Sequence, residues 1–102
     1  MPQFDVFRNS SSAAYPLLVD LQADVHSKLA TRIVVPLMTL TRFAGRPPTR
    51  LTPVMTVRGE AYVAMFPSLV AVPKTLLGEI VGSLAAQRAT LITALDLLIT
   101  GS

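Results

Sequence analysis

The sequence predicts a mainly β fold of the α+β class: a small antiparallel barrel or curled sheet followed by a carboxy-terminal α-helix. Three observations predict it. Short apolar runs with strand-like patterning occupy the first two thirds of the chain. The links between them are short and contain no helix, which favours antiparallel pairing. The last third changes to apolar residues at three- and four-residue steps, the period of an amphipathic helix.

Taken in order, Gln3 to Phe7 opens the chain as a first strand. From Leu17 to Gln22, Leu17, Val19 and Leu21 alternate with Leu18, Asp20 and Gln22, which is the pattern of a half-buried strand. Ala23 to Thr31 carries Asp24, His26, Ser27 and Lys28 and reads as a polar loop. Arg32 to Leu37 is β-branched almost throughout and reads as a largely buried strand. Pro36 cannot donate to a ladder, so it is expected at an edge or at the strand's end. The break at Gly45-Arg46-Pro47-Pro48-Thr49 predicts an exposed loop. Beyond it, Leu51 to Val57 and Glu60 to Phe66 form a hairpin around Arg58-Gly59, where Gly supplies the positive φ of a tight turn. Pro67-Ser68 turns the chain into a short strand, Leu69 to Val72, that ends at Pro73. This makes about six strands.

The helical period runs from about Ser83 to Ile99 through Leu84, Arg88, Leu91, Ile92, Leu95, Leu98 and Ile99, with Ser83 as its N-cap. Gly78 and Gly82 would weaken a helix, so Lys74 to Gly82 is expected to be a turn or a short strand. The opposite helix face carries Ala86, Ala89, Thr90, Thr93, Ala94 and Asp96. It is small and weakly charged, which suits either close approach to another protein or an ordinary Ala-rich surface.

Length and composition bound the class. The chain has 102 residues, one domain by length, and 51% of them are hydrophobic. A mean hydropathy of +0.53 is high for so small a volume and implies apolar surface buried against a partner, most simply a second copy. No window holds about 18 consecutive apolar residues, and charges or prolines interrupt every candidate, so no membrane association is expected. The amino end, MPQFDVF, lacks the basic and apolar segments of a signal peptide. Cysteine is absent, which rules out disulfides, a cysteine nucleophile and thiolate metal sites. A cytoplasmic location follows as the expectation. The net charge of +3 permits an acidic partner without specifying nucleic acid. Arg42, Arg46, Arg50 and Arg58 fall in one stretch, consistent with a solvated loop, with contact to an acidic protein segment, or with phosphate binding.

No catalytic constellation is legible. The acids are Asp5, Asp20, Asp24, Glu60, Glu79 and Asp96, the sole histidine is His26, and no nucleophile elbow, phosphate loop or dinucleotide fingerprint surrounds any of them. One His without Cys makes a zinc site improbable. His26 reads first as a solvated loop residue.

Several of these segments together carry a resemblance. Gln3-Phe4-Asp5-Val6-Phe7 and Tyr15, then Leu18 to Asp24, then Arg32 to Leu37, resemble the CcdB family of toxins from bacterial toxin–antitoxin modules. The likeness continues through Leu51-Thr52-Pro53-Val54, Gly59-Glu60, Val70 to Pro73, Leu77-Gly78-Glu79 and Ala94 to Leu97 in one register. It implies an SH3-like barrel of the type shared with the MazF and Kid toxins, a homodimer, and no cofactor. It also implies a binding protein rather than an enzyme, which holds the A subunit of DNA gyrase and traps the gyrase–DNA cleavage complex. A CcdA-like antitoxin would neutralise it with a disordered tail, and operator DNA would be met only indirectly, through that antitoxin.

Carried over by position, the resemblance places gyrase contacts at Val25 and His26 in the loop after the second strand. Others fall at Arg88, Ala89, Ile92 and Asp96 on the helix and at Thr100, Gly101 and Ser102 after it. Well-known members end in Trp-Gly-Ile, with the Trp stacked on a gyrase arginine; here Thr100-Gly101-Ser102 stands in that place. Losing a cation–π contact worth about 0.5–2 kcal/mol per ring, twice in a symmetric dimer, would weaken binding steeply. The antitoxin surface implied by the family comprises the first hairpin loop, Arg8 to Ala14, and the Arg42 to Arg50 loop, with Arg8, Arg42, Arg46 and Arg50 as its charged groups. Two alternatives remain. A MazF-like endoribonuclease would need an acid or base placed beside an arginine, and a non-toxic homologue would keep only dimerisation and antitoxin capture.

Overall fold

A computed structural model describes residues 2–24 and 28–101. Val25, His26 and Ser102, three of the expected target contacts, lie outside the described residues. The strands are β1 (Asp5–Asn9), β2 (Leu17–Asp20), β3 (Thr31–Thr39), β4 (Val54–Val57), β5 (Glu60–Ala64), β6 (Val70–Pro73) and β7 (Leu77–Ser83). A one-turn helix, α1 (Leu40–Phe43), follows β3, and α2 (Arg88–Thr100) closes the order. The strands form one antiparallel sheet in the order β4-β5-β3-β2-β1-β7, with β6 added alongside β3. The sheet curls into a half-barrel. Its two ends approach closely enough that a Cβ added at Gly82 of β7 would lie 3.3 Å from Val57 Cγ1 of β4. The expected mainly β fold with a terminal helix is the fold observed.

The longest strand, β3, organises the sheet. One edge pairs with β2 from Val34 to Leu37; the other pairs with β6 from Thr31 to Val34 and with β5 from Leu37 to Thr39. Pro36 falls between the β6 and β5 partners. Its carbonyl accepts from Met65 N at 2.9 Å, and its missing N–H falls where the ladder changes partner. Pro36 therefore marks a change of partner inside a central strand, not the edge or strand end expected of it.

Two apolar layers result from the alternation. The inner face of the curl carries Val6, Val19, Val35, Leu37, Met55 and Val81, closed by Leu84, Leu91 and Ala94 from the last segment. The outer face carries Phe7, Leu18 and Val34, and a smaller cluster of Met38, Phe43, Val63 and Met65 against Tyr15. For this reason β2 is not half-buried: all four of its residues are buried. The hairpin at Arg58-Gly59 has φ of 51° and 77°, positive at both central positions as a type I′ turn requires, and Gly59 takes the second at no steric cost.

The helix begins later than its apolar period suggests. Residues up to Ser83 are spent on β7, a seven-residue strand paired with β1, and a 3₁₀ turn, Ala85–Gln87, precedes α2. Ser83 Oγ accepts from Ala85 N at 3.1 Å, so Ser83 caps the approach and not the helix. Gln87 instead reaches the edge strand β4, accepting from Thr56 N at 3.3 Å and donating to Thr56 O at 3.1 Å, which occupies an open sheet edge. Ala94, expected on the small outer face, is buried, whereas Ile99 is 69% exposed.

The outer face also holds a charge pair with no exposure. Arg32 and Asp20 are both fully buried, with Arg32 Nη2 2.8 Å from Asp20 Oδ2 and Nε donating to the same oxygen at 3.0 Å. Gln22 completes the network. Its N–H donates to Asp20 Oδ1 at 3.0 Å, its carbonyl accepts from Arg32 Nη2 at 3.2 Å, and its Oε1 accepts from Ile33 N at 2.9 Å. Asp5, also buried, stands beside Asp20; burial pushes its carboxyl up, and Asp20 and Asp24 push the same way.

Arg32→Ala should cost about 3–5 kcal/mol in urea unfolding, because Asp20 would stay buried without its cation. Asp20→Leu combined with Arg32→Met should recover most of that loss; a double variant as unstable as the single one would show that the pair does more than balance charge. Asp5→Asn should match wild type below pH 3.8, the ordinary value, where the wild-type carboxyl is neutral folded or unfolded. As pH rises through the raised folded value, wild type loses stability that the variant keeps. Urea midpoints should therefore diverge toward neutral pH, and a gap that stays constant with pH would contradict the assignment.

Candidate functional site

The exposed side of α2 is built by what the helix must bury. Leu91 and Ala94 enter the inner core, with Ile92, Leu95 and Leu98 packed at its margin. Arg88, Ala89, Asp96 and Thr100 are thereby turned outward, with Ile92 half-buried on the same stripe. Arg88 is held in place, donating from Nη1 to Gln3 Oε1 at 3.2 Å while its guanidinium lies 5.6 Å above the Phe4 ring. Phe4 has a φ of 70°, an uncommon conformation for a bulky residue. Two backbone bonds hold it there, Phe4 N to Asp20 O at 2.7 Å and Leu84 N to Phe4 O at 2.8 Å.

At the other end, Thr100 Oγ1 donates to Asp96 O at 2.7 Å. Gly101, with a φ of 77°, ends the helix in the left-handed conformation, its N–H donating to Leu97 O at 3.0 Å. Ile99 stands beside this cap as the most exposed large apolar residue among those described. Its helical period suits a core position. Its outward placement could be found only by knowing where the helix begins.

The four arginines assigned to the antitoxin surface do not form one cluster. Arg8 pairs with Glu79 at 2.7 Å, both side chains largely exposed, and the guanidinium lowers the Glu79 carboxyl below its usual range. Arg46 stacks 4.5 Å from the Phe43 ring, with Nη2 3.5 Å from Met38 Sδ, and Arg42 is exposed on α1 nearby. Arg50 lies apart from both, lining a groove of about 290 Å³ with Pro53, Ala89, Thr90 and Thr93 of the α2 face. The structure thus joins Arg50 to the helix surface.

Chemistry has few places to occur. Asp20 and Arg32 are inaccessible, and among the described residues no three His, Cys, Asp or Glu side chains converge as metal ligands. A second hollow, about 210 Å³, lies at the mouth of the curl between Arg8, Arg58, Glu60 and Tyr62, over Leu17, Val57 and Val81. Burial raises the Tyr62 hydroxyl above its ordinary value, and a hydrogen bond to Glu60 adds to the shift. Here the fold supplies what the sequence alone did not suggest, carboxylates beside arginines.

The model of the CcdB protein family matches residues 3–101. The chain belongs to the CcdB family. Membership makes it a toxin of the toxin–antitoxin type, built on the curled sheet described above. Among solved structures it is similar to an endoribonuclease in complex with its cognate antitoxin from a mycobacterial species. That likeness has a TM-score of 0.74 at 18% identity and covers 94% of this chain and 91% of that one. At that identity the likeness is one of fold. No helix among the described residues is long and apolar enough to cross a membrane.

Proposed function

We propose that this CcdB-family chain is a cytoplasmic toxin that acts as a homodimer, binding the A subunit of DNA gyrase and trapping the cleavage complex. A CcdA-like antitoxin restrains it. The observation that carries the binding reading is the outward stripe of α2, which runs from Arg88 through Ala89, Ile92 and Asp96 to an exposed Ile99 beside the Gly101 cap. A large apolar side chain on a rigid helix end is a suitable anchor, since little entropy is lost when it docks. Ile99 would take over part of what Thr100 and Ser102 lack relative to Trp-Gly-Ile. The hydrophobic excess and the exposed Ile80, Val70 and Leu29 support burial against partners.

An endoribonuclease activity is the second reading, favoured by the Arg8, Arg58, Glu60 and Tyr62 hollow, where guanidiniums could hold a phosphodiester beside a carboxylate. Arg8 is already engaged by Glu79, which weighs against it.

Purified protein incubated with its own gyrase and supercoiled DNA should yield trapped cleavage products. Ile99→Asp should weaken trapping by about 30-fold or more, equivalent to about 2 kcal/mol at an apolar anchor, and Thr100→Trp should strengthen it. Trapping unaffected by Ile99→Asp would place the target surface elsewhere. Cleavage of RNA by the wild type that disappears in Glu60→Gln, with no gyrase trapping, would establish the second reading.

A further inference from the structure

The groove beside α2 gathers three polar side chains whose hydrogen-bonding capacity is unspent. Arg50 lines it with Thr90 and Thr93, over Ala89 and against Pro53. Among the described residues, no hydrogen bond or ion pair engages the Arg50 guanidinium or either hydroxyl, and no carboxylate lines the groove. Arg8, Arg32, Arg46 and Arg88, by contrast, each have a partner within the chain. On the same helix Thr100 spends its hydroxyl on the Asp96 carbonyl one turn back, as helical threonines commonly do; Thr90 and Thr93 keep theirs for the groove.

The backbone on both sides of Arg50 is fixed. Thr49 N donates to Thr52 Oγ1 at 2.8 Å, Thr52 N donates to Thr49 O at 3.0 Å, and Thr52 is buried. Leu51 O accepts from Phe66 N at 3.2 Å and Pro53 O from Ala64 N at 2.9 Å, which ties the turn to the sheet. A guanidinium carried on so constrained a turn loses less freedom when a partner docks.

A planar fork of N–H donors facing two hydroxyl donors is chemistry for an oxyanion. The groove of about 290 Å³ has the volume of about ten waters at about 30 Å³ each, room for one acidic side chain. Its charge suits a single carboxylate better than a nucleic-acid backbone. Arg50 is the one cation lining it, and Asp96, three residues beyond Thr93 on the exposed side of α2, would repel a run of phosphates. Ala89 belongs both to the groove and to the stripe from Arg88 to Ile99, so the two surfaces are continuous.

We propose that Arg50, Thr90 and Thr93 form a subsite that receives one aspartate or glutamate side chain of the target protein. Arg50 then acts in target selection, apart from the antitoxin surface to which its place in the sequence assigned it. The proposal rests on the gyrase-directed reading.

The test measures affinity of the full chain for the purified A subunit of its own gyrase, with and without DNA. Arg50→Gln should weaken binding about tenfold or more, as expected of an interface arginine in a walled site. Arg50→Lys, which keeps the charge and loses the fork, should recover only part of that affinity. Thr90→Val and Thr93→Val keep the side-chain shape and should each cost about threefold, the loss of one hydrogen bond. All four positions of change lie on the surface, and thermal melting would confirm that each variant folds. Recovery of Arg50→Glu by a single Asp or Glu to Arg change in the A subunit would identify the bound carboxylate. Affinity within about twofold of wild type in Arg50→Gln would overturn the subsite while leaving the gyrase reading intact. A loss confined to reactions containing DNA would assign Arg50 to phosphate, and a loss confined to binding a peptide of the antitoxin tail would return it to the antitoxin; either overturns the proposal. A wild-type chain that does not bind the A subunit at micromolar concentration would sink the gyrase reading and the subsite with it.

Discussion

A guanidinium and a carboxylate buried together between β2 and β3 constrain the rest of this molecule. Neither Asp20 nor Arg32 can stay in the outer layer without the other, because an unpaired buried charge costs several kcal/mol. A one-residue slip of β2 against β3 would separate them and turn Val19 and Leu21 away from the inner core. The pair therefore reinforces the register that the apolar alternation favours. That register sets Leu18 against Pro36 on the outer face and Val19 against Val35 on the inner one. It also aligns Gln22 so that its backbone and side chain complete the network.

From that register the two surfaces of interest follow. On the inner side, the apolar layer accepts Leu84, Leu91 and Ala94, which fixes the rotation of α2 and so decides that Arg88, Ala89, Asp96 and Ile99 face out. The same rotation turns Thr90 and Thr93 toward the loop that carries Arg50. Both surfaces suit binding. The accessible polar hollow between Arg8 and Tyr62 is smaller, and its charges largely neutralise one another.

Much of the strand order is legible from pattern alone. The Arg58-Gly59 turn and the strands beginning at Leu17, Glu60 and Val70 fall where period and turn residues put them, within a residue or two. Misplacements have physical causes. Ser83 has the chemistry of an N-cap, but β1 needs a partner, so β7 extends through Ser83 and α2 starts at Arg88. Asp20 has the pattern of a solvent-facing polar residue because nothing local announces a cation twelve residues away. Sequence proximity groups the arginines, yet the loop carries Arg50 to the helix and leaves Arg46 on Phe43.

The sequence by itself determined the class of fold and, through the order and spacing of its motifs, the family, since both depend on local periodicity and short-range turn chemistry. Tertiary structure alone decided which polar groups are buried, where the helix begins, and which apolar side chains are left outside. Those outcomes depend on contacts between segments far apart in the chain: Arg32 with Asp20, Arg88 with Gln3, and Val70 across from Val34. Ile99 shows the difference most clearly, since its helical period suits a core position and only the packing of Leu91 and Ala94 turns it toward solvent.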